Sequence, residues 1–222
     1  MLQFLIDEHK EGNVTPYIEL KNALYREFER QLKELGFCTI NKANPGVLER
    51  PLEDNFRLRA TVLVDRIGEG IKCQFVVGLR CVEVYEHLDR QTVKLLGTGM
   101  KWSPVWAENL VHSAKTGTPL DEYIESPDDI PILVRVAVKV FEEQAFKKAC
   151  SLANIQRLSN LILTGDGPGM VQFRFQPVVL AMAGRKVEAI NWIKDHYLSD
   201  SKAEIDSQIG QSLLANPLFR LD

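Results

Sequence analysis

The chain has 222 residues, of which 45% are hydrophobic and 26% charged, and its formal net charge is −3. These proportions are typical of soluble globular proteins and exclude a disordered or collagen-like chain. The slight excess of acids argues against nucleic-acid binding, because domains that bind nucleic acid are strongly basic. No uncharged apolar run approaches the roughly 20 residues that cross a bilayer, so we expect no membrane segment.

The N-terminal segment and the cysteines indicate the compartment. The first ten residues carry Asp7 and Glu8 and lack the basic start of a secretory signal. Four cysteines without a Cys-x-x-Cys pair are too few for a disulfide framework. Cys73 and Cys81 stand among apolar residues, where a buried thiol is the ordinary arrangement. We therefore expect a cytoplasmic protein with free thiols and no bound metal.

A long amphipathic helix is predicted near the start of the chain. Thr15-Pro16 combines a capping hydroxyl with a proline at the first helical position, and Gly36 supplies the end. The apolar residues between them recur at spacings of three and four: Tyr17, Leu20, Leu24, Phe28, Leu32 and Leu35. This stripe predicts a helix over 16–35 with one buried face.

Antiparallel strands are predicted after this helix. A short strand over 37–41 lies within a loop segment, and from Asn55 the apolar pattern alternates with a period of two. Gly68-Glu69-Gly70 marks a hairpin turn, and the returning strand changes parity, which predicts a bulge between Gly78 and Cys81. A third strand over 92–97 completes a meander, one face of which the first helix covers.

The second half of the chain is predicted to be mostly helical. Ser126-Pro127-Asp128-Asp129 resembles a helix-capping segment, and helical apolar spacing follows it as far as Ile162. Two short apolar helices flank Gly184, and a last helix covers 201–214. The segment 97–118 fits a strand, a loop or a short helix.

These elements predict an α+β fold in which an N-terminal helix packs on an antiparallel β-meander and a mostly helical C-terminal half follows. Residues 1–125 form the helix-and-sheet part, and residues 126–222 form a helical region docked on it as one compact unit.

Motifs of known catalytic sites are incomplete in this sequence. Lys115-Thr116-Gly117 and Ser199-Asp200-Ser201-Lys202 match two β-lactamase motifs in reversed order, and Ser-Asp-Asn is missing. Glu83 and His87 lie on a predicted strand, where residues four apart are about 13 Å apart and cannot share a metal. We therefore predict no catalytic residue, cofactor or metal, although an enzyme whose site is dispersed along the chain stays an alternative.

The order of elements is similar to that of a known group. The capped helix ending at Gly36-Phe37, the short strand and the long hairpin from Asn55 to Glu86 resemble bacterial domains of unknown function found among immunity proteins of polymorphic toxin systems. The segment around Gly184 resembles the helix pair that closes such proteins. The resemblance implies a cytoplasmic protein without catalytic activity that inhibits a toxin by occluding it.

The most acidic segment is the candidate binding surface. Five acids and no base flank Tyr123 in residues 121–129, namely Asp121, Glu122, Glu125, Asp128 and Asp129. Removing these five charges from the total of −3 leaves +2 for the rest of the chain, so the acidity is local. One interpretation is that the acids complement a helix dipole and solvate a loop. The other is that Tyr123 anchors a basic protein partner, such as a toxin, within an acidic patch.

A protein-binding protein without catalytic activity is thus the leading hypothesis. A general interaction or adaptor protein of phage or mobile-element origin is the alternative in the same class. The sequence leaves the oligomeric state open.

Overall fold

The computed structural model describes residues 16–52, 55–88, 90–97, 103–114, 120, 123–165, 169–199 and 203–221. The side chains of His112 and Ser113 are outside this description. No helix in these ranges combines the length and the apolar character needed to cross a membrane.

The chain has the predicted α+β fold, with an N-terminal helix, an antiparallel sheet and a mostly helical C-terminal half. The first half consists of α1 (Pro16–Glu34), β1 (Cys38–Thr39), β2 (Val47–Pro51), β3 (Phe56–Ile67), β4 (Gly70–Cys81), α2 (Val82–Glu86), α3 (Arg90–Leu96), β5 (Trp106–Asn109), α4 (Leu110–Ser113) and β6 (Tyr123–Ile124).

The second half begins with a 3₁₀ turn (Pro127–Asp129), which leads into α5 (Ile130–Val140), a π-helical turn (Phe141–Ala145) and α6 (Phe146–Ser151). It continues through α7 (Ile155–Thr164), β7 (Met170–Val171), a 3₁₀ turn (Phe173–Phe175), α8 (Gln176–Met182), α9 (Lys186–Tyr197), α10 (Glu204–Ala215) and a last 3₁₀ turn (Pro217–Phe219).

The sheet has the strand order β1-β2-β3-β4-β5-β7, and β6 pairs with the far end of β4. All its strand pairs are antiparallel. Because directly opposed residues share a face, the register assigns every side chain of the β3–β4 hairpin to one of two faces. We call the face that carries Phe75 and packs on α1 the helix face, and the opposite one the second face.

The prediction of a bulge at the end of the hairpin is wrong. The pairing of β3 with β4 runs unbroken from Phe56 opposite Cys81 to Ile67 opposite Gly70, so there is no bulge between Gly78 and Cys81. The parity change at Val82 arises because α2 begins there, with Cys81 as its extended N-cap residue. The apolar residues Val82 and Val84 are two apart, as in a strand, and the five residues of α2 are too few for the helical spacing of three and four to appear.

The predicted third strand over 92–97 is also wrong, because α3 occupies this segment. The strand that pairs with β4 at this end of the hairpin is β5, which lies within the segment 97–118 whose structure the sequence left ambiguous. The strand β2 occupies a segment that the sequence indicated as loop, and Pro51 is its last residue.

One hydrophobic core contains residues from both halves of the chain. The rings of Phe37 and Phe141 lie with centroids 5.4 Å apart, and those of Tyr85 and Phe175 lie 5.2 Å apart. In addition, β7 of the second half pairs with β5 at the edge of the sheet. These contacts join the two halves through packing and through the sheet itself.

Candidate functional site

Tyr123 is held in a defined position at the end of the sheet. It lies opposite Lys72 in the β4–β6 pair, and its hydroxyl donates to the carbonyl oxygen of Ile67 at 2.9 Å. Its ring packs so closely on Gly70 that a Cβ added there would lie 2.7 Å from two ring carbons. The side chain is nevertheless 46% exposed. Tyr123 therefore presents a fixed aromatic surface to solvent.

Two further exposed apolar side chains share this surface. The register places Leu63 and Ile67 on the second face, the same face as Tyr123. Leu63 is 49% exposed and Ile67 45%. We call Leu63, Ile67 and Tyr123 the tip face. The register places Asp65 and Lys72 between Leu63 and Tyr123 on this face, so the apolar groups are interspersed with charged ones. Exposed apolar groups with polar surroundings are typical of interaction surfaces.

Of the acidic residues, Glu125 lies two residues after Tyr123, whereas the turn that holds Asp128 and Asp129 contacts α1 on the opposite face of the sheet. Glu125, Asp128 and Asp129 are exposed, and so is Glu69 in the hairpin turn. The backbone N–H of Asp128 donates to Ser126 Oγ at 3.2 Å, so Ser126 caps the 3₁₀ turn that leads into α5. Asp128 and Asp129 therefore stand in the first turn of a helix, where negative charge is favourable. Asp121 and Glu122 lie outside the described residues.

A buried ionic network on the second face was not predicted. Arg59 Nε donates to Glu49 Oε1 at 2.9 Å, its Nη2 contacts the same oxygen, and Arg80 Nε lies 3.1 Å from it. Arg59 is only 6% exposed. The hydroxyl of Tyr85 bonds to the carbonyl oxygen of Ser103, and burial raises the pKa of Tyr85 above its usual range. The sequence did not indicate this burial, because Arg59 alternates with apolar residues as a solvent-facing strand residue does.

A second internal ion pair connects the sheet with the helices. Glu108 on β5 lies opposite Val77 and is buried, and Lys148 Nζ on α6 lies 2.6 Å from its Oε1. The pair fixes the position of α6 over the helix face. The sequence did not predict this ion pair, because Glu108 lies in the segment 97–118, which fits a strand, a loop or a short helix.

The geometry expected for Glu83 and His87 is wrong. They lie around α2 rather than on a strand, so His87 Nε2 is 4.0 Å from Glu83 Oε1. Both side chains are more than one-third exposed. Within the described ranges, no group of three or more His, Cys, Asp or Glu side chains is positioned to hold a metal ion. The contact is therefore a surface pair between residues four apart.

The fold and the tip face define an α+β protein with an antiparallel sheet that has an exposed aromatic side chain and exposed acids at one end. Comparison of this chain with protein-family models, with curated proteins and with solved structures found no match.

Proposed function

We propose that this chain is a protein-binding protein without catalytic activity, and that it engages its partner through the tip face. The observation that carries the proposal is the fixed but half-exposed ring of Tyr123. Its hydrogen bond to Ile67 and its packing on Gly70 restrict the side chain before any partner arrives. A restricted aromatic side chain loses little conformational entropy on binding, and tyrosine is enriched among the residues that dominate binding energy.

The charges around the tip face support a basic partner. Glu69 in the hairpin turn and Glu125, two residues after Tyr123, are exposed, and neither forms an ion pair within the described part of the chain. We call these two residues the acidic rim; Lys72, opposite Tyr123, is a cation on the same face. Complementary charge at the rim of an interface steers the encounter and fixes the orientation of the partner. The apolar side chains at the centre then supply the buried contact.

The resemblance to immunity-associated bacterial domains supports a narrower proposal. In that form the partner is a basic toxin, and the protein inhibits it by covering its surface. The acidic rim then repels other acidic proteins and favours a partner whose own function requires positive charge.

Affinity capture from the native host with matched variants tests the proposal. Tyr123→Ala removes the aromatic surface, and Glu125→Lys reverses a charge outside any helix. Glu188→Lys is the control, because it reverses an exposed acid on α9. We expect one basic protein to be retained by the wild type and the control and lost from both variants. Equal retention on all four proteins would contradict the proposal, provided that the variants keep the wild-type melting temperature.

A further inference from the structure

Arg50 lies where the end of α1, the strand β2 and the π-helical turn meet. Its Nη1 donates to the carbonyl oxygen of Leu35 at 2.8 Å. Its guanidinium carbon is 4.1 Å from the ring centroid of Phe146 and 5.4 Å from that of Phe37. Within the described part of the chain Arg50 forms no ion pair with a carboxylate. The cation is thus held by rings and by one carbonyl, and its charge remains available.

The π-helical turn places two aromatic rings beside this cation. Residues five apart in an α-helix point about 140° away from each other, since each residue turns the chain by about 100°. The wider turn at Phe141–Ala145 instead brings Phe141 and Phe146 to the same side, with ring centroids 6.4 Å apart. Such turns are rare and occur frequently at functional sites.

A small cavity opens between these groups. Its volume is about 100 Å³, and its lining residues are Leu35, Phe37, Arg50, Phe141, Glu142 and Phe146. Phe37 and Phe141 are buried, whereas Glu142 is exposed and stands at the rim. The interior is therefore aromatic and aliphatic, with Arg50 as the cation in its lining.

We propose that this cavity binds a short-chain monocarboxylate, with the carboxylate on Arg50 and the alkyl group against the phenylalanine rings. A guanidinium presents N–H groups in the planar arrangement that matches a carboxylate, and a charge-assisted hydrogen bond of this kind is stronger than a neutral one. The volume admits a molecule of only a few heavy atoms. Inorganic phosphate fits less well, because apolar walls leave its other oxygens unsolvated.

This site is separate from the tip face, and the proposal does not depend on the proposed function. Arg50 also holds the end of α1, so its removal affects stability as well as binding. Glu142 has no hydrogen bond within the described residues, and Glu142→Gln removes a negative charge beside the cavity while keeping its shape. The two positions therefore test the proposal in opposite directions.

The test is a titration of the wild-type protein with sodium butyrate at constant ionic strength, followed in ¹H–¹⁵N spectra by the Arg50 Nε–H and the amides of residues 141–146. We expect saturable shifts at these groups, with no shifts from butyramide. Glu142→Gln should tighten binding by about two- to fivefold, because a nearby like charge is removed. Arg50→Lys should weaken it by about tenfold or more, because lysine lacks the planar pair of donors.

Four results would overturn the proposal. They are the absence of saturable shifts in both the wild type and Glu142→Gln, equal affinity in a folded Arg50→Lys variant, equal binding of butyramide, and tighter binding of inorganic phosphate than of butyrate. If Arg50→Lys does not fold, the comparison of Glu142→Gln with the wild type decides, and unchanged affinity in that variant contradicts the proposal.

Discussion

The rings of Phe28 and Phe75 lie with centroids 5.6 Å apart and planes inclined by 50°, and this contact joins α1 to the middle of the sheet. It is the contact that the helical stripe and the alternating strand predict, and Phe28 is 3% exposed. Replacing Phe28 with alanine should lower the free energy of unfolding by about 3–5 kcal/mol, because it leaves a cavity in the core.

Urea denaturation measures this loss directly. Ile18→Ala is the control, since Ile18 lies on the exposed side of the same helix and its replacement should cost no more than about 0.5 kcal/mol. A similar small loss for Phe28→Ala would show that α1 does not pack on the sheet as described.

The buried network on the second face should be sensitive to loss of its carboxylate. Glu49→Leu leaves the guanidiniums of Arg59 and Arg80 close together without the oxygen that both contact. We expect a loss of about 3–5 kcal/mol in the free energy of unfolding, the usual cost of breaking a buried ion pair. The double variant Glu49→Leu/Arg59→Met should recover part of this loss, because one unpaired charge is removed with its partner.

Denaturation of the two single variants and the double variant gives the coupling energy. Additive losses would contradict the network. Glu34→Leu is the control for the carboxylate, because its side chain is 72% exposed and its replacement should change stability little.

The pH dependence of stability should contain a contribution from Glu27. A hydrogen bond from Arg30 holds the pKa of this carboxyl down at about 2, against its ordinary value of 4.5. Because the folded-state pKa is lowered, the ionised form stabilises the fold above the ordinary pKa, and this stabilisation is lost as the pH falls towards the folded-state value. The wild type should therefore exceed Glu27→Gln in stability at neutral pH, and the difference should shrink below about pH 4.5.

Melting temperatures of the two proteins across this pH range provide the measurement. A difference that stays constant from neutral pH down to about pH 2 would exclude the assigned role of Arg30.

The cysteines should differ strongly in reactivity. Cys38 is exposed, Cys150 is partly buried, and Cys73 and Cys81 are buried. Burial also raises the pKa of the Cys81 thiol, which lowers the fraction of reactive thiolate. We expect one fast phase of labelling by a thiol reagent in the native protein, which Cys38→Ser removes. Fast labelling of three or more thiols without denaturant would contradict the burial of β4.

The elements that could be predicted from the sequence are those long enough to show their period. The stripe from Leu20 to Leu32 spans several turns, and the alternation from Phe56 to Val64 spans most of a strand. Short elements gave no such signal. Val82 and Val84 have the spacing of a strand although they lie in α2, and a helix of five residues is too short to show its own period.

The contacts and the burial of the candidate site residues could likewise not be predicted from local sequence patterns. The position of Tyr123 within an acidic segment was visible in the sequence, but its hydrogen bond to Ile67 depends on a pairing between segments 56 residues apart. The burial of Arg59 depends likewise on the pairing of β2 with β3 and on Tyr85. A side chain's burial is a property of what packs over it, which local patterning does not specify.

The proposed function requires that the tip face and its acidic rim bind a basic protein. Its most direct test is the rate of association with the captured partner, measured by stopped flow at several salt concentrations for the wild type, Glu125→Lys and the control Glu188→Lys. We predict that Glu125→Lys associates about tenfold more slowly at low salt and shows a weaker salt dependence, while the control matches the wild type. Association rates and salt dependences that are the same for all three proteins would contradict the proposed function.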